Sequence, residues 1–396
     1  MKEKLVQFGA GNIGRSFIGQ VFARGGWEVV FVDIDENIVE GMNREGKYRV
    51  VVKKNEEPDE ILTVSNVRAV NGKNAEAVAE EIADCGIVAT SVGKGALPHI
   101  FPVIAKGIEK RRATRPESPL DIIIAENIRN GAEYFSKELS QQLPKDFPLN
   151  EYIGLVETSI GKMVPIMKKE DLEQDPLWVF AESYNNLILD KGGFKNPFPP
   201  MDAIKPVQNI TAYVDRKLFI HNMGHAATAY FGYQHNPDFI YIWEALEVPE
   251  MYNRVKKAME ESKEALHREY PEDLSLKDLD RHIEDLLYRF QNRALGDTIF
   301  RVGRDLYRKL GKSDRIIGSM LLAKKHELSC ETIAQAYVAG CSFRAKDEKG
   351  ELFPGDKEFS EKEWPKGIEG ILKDVSNLSE KDPLEEKVIE EVKKQT

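Results

Sequence analysis

Three cysteines in 396 residues, at positions 85, 330 and 341 and without a CxxC pair, exclude a disulfide framework and a cysteine-built zinc site; buried thiols are expected instead. No apolar run approaches the eighteen or so residues that a membrane span requires. Positive charge is in deficit, since 56 Lys and Arg against 66 Asp and Glu leave a net −10, so neither nucleic acid nor an anionic membrane is the expected partner. No repeat of solenoid period is present. The opening MKEKLVQFGAG passes straight into a strand pattern with no signal peptide, so a cytoplasmic location is expected. What remains is an ordinary globular composition, 41% hydrophobic and 31% charged, long enough for two domains with substantial cores.

Residues 4 to 8 form a short apolar run, and Gly9, Ala10, Gly11, Asn12, Ile13 and Gly14 follow at once, before a helical pattern through Phe17, Ile18, Val21 and Phe22. Strand, tight turn and helix is the context in which GxGxxG binds a dinucleotide. The first glycine permits the turn, the second lets backbone N–H groups close on a pyrophosphate, and the third lets helix and strand pack. A second apolar run over 28 to 32 ends in Asp33, near the offset expected for the carboxylate that receives the ribose hydroxyls. Such an acid repels a 2′-phosphate, so NAD rather than NADP is the expected cofactor. The plainer reading of Asp33 is a strand-end turn residue, with Asp35 as a competing carboxylate.

Alternating patterns continue: a helix after 36, a hairpin-like stretch over 48 to 52 and 61 to 64, a helix over 75 to 82 and a strand over 86 to 89. That strand runs into Thr90, Ser91, Val92 and Gly93, small residues where a nicotinamide ring would approach. A helix over 98 to 108 precedes a basic, Pro-containing segment, 111 to 119, that reads as a solvated loop. The strand over 121 to 125 leads to Asn127, which stands where open α/β sheets place their chemistry or else caps the next helix. A last strand, 152 to 156, completes a doubly wound sheet. Asn196-Pro-Phe-Pro-Pro200 then punctuates the chain. From about 204 it reads as helical, with helices near 204–215, 216–231, 238–246, 249–269, 275–289, 297–310, 313–326 and 329–340. The expected fold is therefore an N-terminal Rossmann-type doubly wound sheet over 1–200 and a mostly helical domain over 201–396, with an exposed or frayed charged tail from Glu380.

The stretch over 216 to 230, RKLFIHNMGHAATAY, reads as one helix. In α geometry Lys217, His225 and Asn222 stand at about 0°, 80° and 140° around its axis, so all three can face one cleft, Lys217 by means of its long stem. Gly224, Ala226, Ala227 and Ala229 suit a helix pressed against neighbours or a flat ligand. The plainer alternative is a buried helix with a snorkelling lysine and two hydrogen-bonded polar residues.

Taken together, GAGNIGRSFIG at 9–19, AENIRNGA at 125–132, QNITAYVDRKLFIHNMGHAATAY at 208–230 and RVGRDLYRKLGKSDRIIG at 301–318 resemble the long-chain, polyol-specific (mannitol) dehydrogenase family, over nearly the whole chain. The resemblance implies a metal-independent, NAD-linked alcohol dehydrogenase. Lys217 is then the acid/base, Asn222 and His225 surround the reacting oxygen, and Asn127 is a second asparagine beside it. The implied reaction is reversible oxidation of D-mannitol 1-phosphate to D-fructose 6-phosphate by a monomer or homodimer. Rival readings are a relative acting on an unphosphorylated polyol or a hexuronate, and a dinucleotide-binding sensor without chemistry. In one departure, Gly161-Lys162 stands before Val164-Pro165 where relatives carry Asp-Arg.

A sugar phosphate calls for cations, and Arg301, Arg304, Arg308, Lys309, Lys312 and Arg315 supply a basic segment in an acidic protein. Arg301, Arg304 and Arg308 recur at helical spacing and are candidates to grip a phosphate, with Lys162 a further candidate. The alternative is a solvated charged face. His221 and His225 have the i, i+4 spacing of a metal pair but no supporting Cys/His cluster, so no metal is expected.

Overall fold

The computed structural model describes residues 3–55, 57–165, 167 and 169–396. The chain divides into two compact units, Met1–Ile210 and Thr211–Thr396. Among the described residues no helix is long and apolar enough to cross a membrane.

The first unit contains strands β1 (Lys4–Phe8), β2 (Glu28–Asp33), β3 (Lys47–Val52), β4 (Glu60–Ser65), β5 (Val67–Asn71), β6 (Ile87–Thr90), β7 (Leu120–Ile124), β8 (Ile153–Ser159), β9 (Val179–Ala181), β10 (Leu187–Asp190) and β11 (Ile204–Val207). Eight of them form one sheet in the order β11-β10-β8-β7-β6-β1-β2-β5, and β4-β3-β9 form a second, small sheet. All pairs in the large sheet are parallel except β8 with β10. Successive residues of β1 and β2 enter opposite cores: Leu5, Val29 and Phe31 pack on one face, Val6, Phe8, Val30 and Val32 on the other. Burial on both faces is what a parallel sheet with helices on either side requires, and it explains the continuous apolar runs. Chain order reverses at β1, between β6 and β2, the position at which such sheets bind ligands beyond their strand ends.

Several expectations need correction. The segment 111–119 is not a solvated loop throughout, because the helix Leu97–Thr114 extends into it and Arg111 is buried, donating to the carbonyls of Cys85 and Ser118. The strand pattern also does not stop at the Pro-rich punctuation. Residues 204–207 form β11 rather than helix, pairing with β10. Asp121 ties the punctuation itself back to β7 by accepting from the Lys195 and Asn196 amides at 2.7 and 3.2 Å. Alternation of apolar residues was too short in β5, β9, β10 and β11 to register as strand; pairing with the sheet supplies what local pattern lacks.

In the second unit one continuous helical rod, Ile210–Arg216, Lys217–Asn222 and Met223–His235, is surrounded by the helices Ile242–Glu247, Pro249–Glu269, Ile299–Gly303 and Glu331–Cys341. Small residues allow this packing. A Cβ on Gly224 would lie 2.7 Å from the Met259 sulfur, and one on Gly232 2.7 Å from Ala245. The expected exposed tail is a docked helix, Pro383–Lys393, with Val388, Ile389 and Val392 buried. All three cysteines are free and buried.

Candidate functional site

In the first unit the glycine turn leaves β1 with Gly9 at φ +88°, a backbone state that suits glycine. A Cβ on Gly14 would stand 2.0 Å from the Gly9 carbonyl oxygen, so helix and strand meet there without a side chain between them. Over Gly11, by contrast, a Cβ would meet nothing within 4 Å. Gly11 and Asn12 are exposed and Ile13 partly so, at the start of a helix whose first N–H groups have no carbonyl partners within it. Open space above the first turn of a helix is a setting in which backbone amides can receive an anion.

Asp33 accepts from the Ala10 amide at 2.7 Å on one oxygen and from the Asp35 amide at 3.0 Å on the other. It thus stiffens the turn and retains lone pairs for hydroxyl donors. Asp35, the competing carboxylate, caps the helix Glu36–Glu45 by accepting from the Asn37 amide.

Val92 and Gly93, just past β6, donate their amides to the two oxygens of Glu126 at 2.8 and 2.9 Å. Sequence reasoning passed over Glu126, a buried acid beside Asn127 whose carboxyl is raised above its usual range by burial. Asn127 lies exposed three residues past the end of β7. The cap position before the next helix is Asn130, so Asn127 is not the helix cap. Lys162 is buried rather than open, donating to Asn185 at 3.2 Å and lying 5.3 Å from the Phe17 ring centre.

In the second unit the Lys217–Asn222 segment departs from α geometry: it is a π-helical turn, with i→i+5 hydrogen bonding, inside the longer helix. Such insertions are uncommon and concentrate at functional sites. The effect is specific here. Positions five apart are about 140° apart in an α-helix, whereas a turn closed by i→i+5 bonds brings them toward one face, and Lys217 and Asn222 are five apart.

Lys217 is partly buried, and burial followed by the positive charge of Arg315 lowers its ammonium pKa to about 8. His225 stacks on Phe290 with ring centres 4.8 Å apart and planes 25° apart, and its Nε2 lies 3.2 Å from Oδ2 of Asp297. The other Asp297 oxygen pairs with Arg301. Burial first, then Arg301, Lys309, Arg315 and Arg289, hold the His225 imidazolium well below its ordinary range, so the ring is neutral. His221 is a buried histidine edge-on to His225 at 6.2 Å, and among the described residues no group of three or more His, Cys, Asp and Glu is placed to hold a metal ion.

The basic segment is not one helix face. The helix Ile299–Gly303 ends before Arg304, Asp305 takes a left-handed φ of +76°, and Leu306–Lys309 is a separate turn. Arg304 lies against the rings of Phe300 and Phe353, and Arg308 is engaged by Asp305 and Asp314. Of the basic segment, Arg301, buried Lys309, which donates to the Val302 carbonyl, and buried Arg315 act on His225, and the Arg315 Nη1 is 3.3 Å from the Asn222 carbonyl. Asp297 and Arg315 were legible only in part: an acid four residues before Arg301 has ion-pair spacing, but nothing local links it to His225, 72 positions away.

Two family models match the chain: the mannitol dehydrogenase Rossmann domain over residues 3–203 and the mannitol dehydrogenase C-terminal domain over 209–394. The mannitol-1-phosphate 5-dehydrogenase of Streptococcus mutans serotype c is 32% identical over 389 residues, 97% of each chain. A D-sorbitol dehydrogenase in substrate-free form shares the fold at TM-score 0.78 and 17% identity, covering 99% of this chain and 93% of that one. So does a Pseudomonas fluorescens mannitol 2-dehydrogenase, solved with NAD and D-mannitol, at TM-score 0.69 and 14% identity, covering 100% and 91%.

Proposed function

Because the chain belongs to the mannitol dehydrogenase family, a family of oxidoreductases, we propose that it interconverts D-mannitol 1-phosphate and D-fructose 6-phosphate with NAD. The substrate follows the relative that shares a third of its residues over 97% of the chain. The chemistry is carried by one observation: an amine on a π-turn, in the same helical rod as Asn222 and His225, whose pKa is brought down to about 8.

The residues present fit a dinucleotide. Amides at 11–13 would hold the pyrophosphate, Asp33 the adenosine ribose, and the Val92–Gly93 turn would border the nicotinamide half. When bound, NAD supplies the hydride acceptor. Everything else falls to the protein. Neutral Lys217 takes the proton from the substrate hydroxyl, and in reduction its ammonium returns it. Asn222 and Asn127 donate amide hydrogens to the oxygen as negative charge develops, each such donor contributing about 3 kcal/mol. His225 holds a neighbouring hydroxyl. Arg301 is the best placed of the expected arginines to meet a phosphate or a hydroxyl near His225, and Arg304 and Arg308 are turned to other partners.

NADH oxidation with fructose 6-phosphate, fructose and fructuronate tests the substrate. Loss of one or two charge-assisted hydrogen bonds, about 1.5–3 kcal/mol each, lowers kcat/KM for fructose by about tenfold or more relative to its phosphate. Faster reduction of fructose or fructuronate overturns the phosphate assignment. Cofactor choice has its own check. Asp33→Ser removes the charge that repels a 2′-phosphate and narrows the NAD-over-NADP preference by at least about tenfold; an unchanged ratio moves the discrimination to another residue.

A further inference from the structure

We propose that Asp297 is a positioning residue that fixes the tautomer of His225 and thereby selects a hydroxyl over a carboxylate at that point of the substrate. The inference rests on the reading above that a polyhydroxylated substrate reaches His225, and deepens it.

Asp297 is 5% exposed, and as a carboxylate it can only accept. At 3.2 Å from its Oδ2, the Nε2 of His225 must therefore carry the hydrogen. Since the ring is neutral, Nδ1 is left with a lone pair. Stacking on Phe290 fixes the plane of the imidazole, so the direction of that lone pair is set as well. Nδ1 has no hydrogen bond among the described residues and is not one of the buried unpartnered atoms, while the side chain keeps 19% of its surface. It is the ring's open polar atom, and it asks for a donor. A sugar hydroxyl has a hydrogen to give; a carboxylate brings only lone pairs and is turned away.

Arg301 on the second oxygen makes the arrangement one-sided. In Asp297→Asn the guanidinium, always a donor, draws the amide oxygen to itself and turns the NH2 toward His225. Nε2 then becomes the acceptor, and the hydrogen moves to Nδ1. The same atom that received the hydroxyl now presents a proton.

Two measurements on the full-length protein decide this. In 15N-labelled wild-type protein at neutral pH, long-range 1H–15N correlation should show His225, assigned by the loss of its signals in His225→Gln, with a protonated Nε2 and a bare Nδ1. A protonated Nδ1, or an imidazolium, overturns the proposal, and this result needs no Asp297 variant to fold. In Asp297→Asn, kcat/KM for the ketose phosphate should fall by at least about 100-fold, NADH affinity should stay within about twofold, and the His225 tautomer should switch. Wild-type kinetics in that variant also overturn the proposal. Failure of the wild-type enzyme to reduce fructose 6-phosphate is a different result: it removes the substrate assignment, and the nitrogen spectrum still judges Asp297.

Discussion

Turnover of a Lys217→Ala enzyme is expected to fall by about 10²- to 10⁴-fold, the range that a positioned acid/base contributes, with NADH affinity unchanged. The residues proposed for the cofactor all belong to the first unit and the lysine to the second. The pH profile carries the same assignment. With a pKa of about 8, the free base accumulates as pH rises through that value, so polyol oxidation climbs there and ketose reduction, which needs the ammonium, declines. Stability moves in a definite direction too. The amine binds its proton less tightly folded than in the unfolded chain, so its penalty is full below about pH 8 and is relieved as pH rises toward 10.5. A fall of that size corresponds to at most about 3 kcal/mol, less whatever water reaches the partly open side chain. Lys217→Met, which keeps the volume without the charge, should therefore raise Tm at pH 7, and the gain should shrink toward pH 10. Steady-state rates from pH 6 to 10 and thermal melts check both. A methionine variant that turns over like the wild type takes the amine out of the reaction.

The Rossmann-type fold of the first unit was legible because its opening elements are adjacent in sequence. Gly9, Gly11, Gly14 and Asp33, the residues proposed to meet the cofactor, lie within one strand–turn–helix–strand unit. The helical half was legible as helices, from apolar periodicity, though not as a site. Lys217, Asn222 and His225 were singled out by spacing, yet the α-helical angles assigned to them were wrong for the first pair, because that segment is an i→i+5 turn and apolar periodicity does not signal one. The groups that tune these three come from far along the chain. Arg315, Asp297 and Phe290 reach them only once Pro249–Glu269, Leu276–Phe290 and the broken segment after Thr298 have folded around the central rod. The arginine run was misread for a related reason. Helical spacing of Arg301, Arg304 and Arg308 holds only if the helix continues, and Gly303 followed by a left-handed Asp305 ends it. Glu126 shows the same limit within the sheet: its partners Val92 and Gly93 are next to it only because β6 and β7 are parallel neighbours.

A pair of alanine substitutions in the glycine turn should both weaken NADH binding but differ in stability, and their contrast tests whether a dinucleotide crosses that turn. Gly14→Ala places a methyl where the Gly9 carbonyl oxygen already stands, 2.0 Å away, and a backbone atom cannot rotate aside as a side-chain end can. Helix and strand must separate, with destabilisation of about 1–3 kcal/mol or more and loss of NADH binding together. Gly11→Ala meets no protein atom within 4 Å, so the chain should fold with wild-type Tm. Its methyl enters only the space above the first helical amides, where a pyrophosphate has to lie against bare backbone. NADH affinity should then drop by about tenfold or more with stability intact, read by fluorescence titration alongside a thermal melt. A merely structural turn predicts no change in either quantity for Gly11→Ala. NADH bound by Gly11→Ala as tightly as by the wild type would place the cofactor elsewhere, and with it the assignment of Asp33.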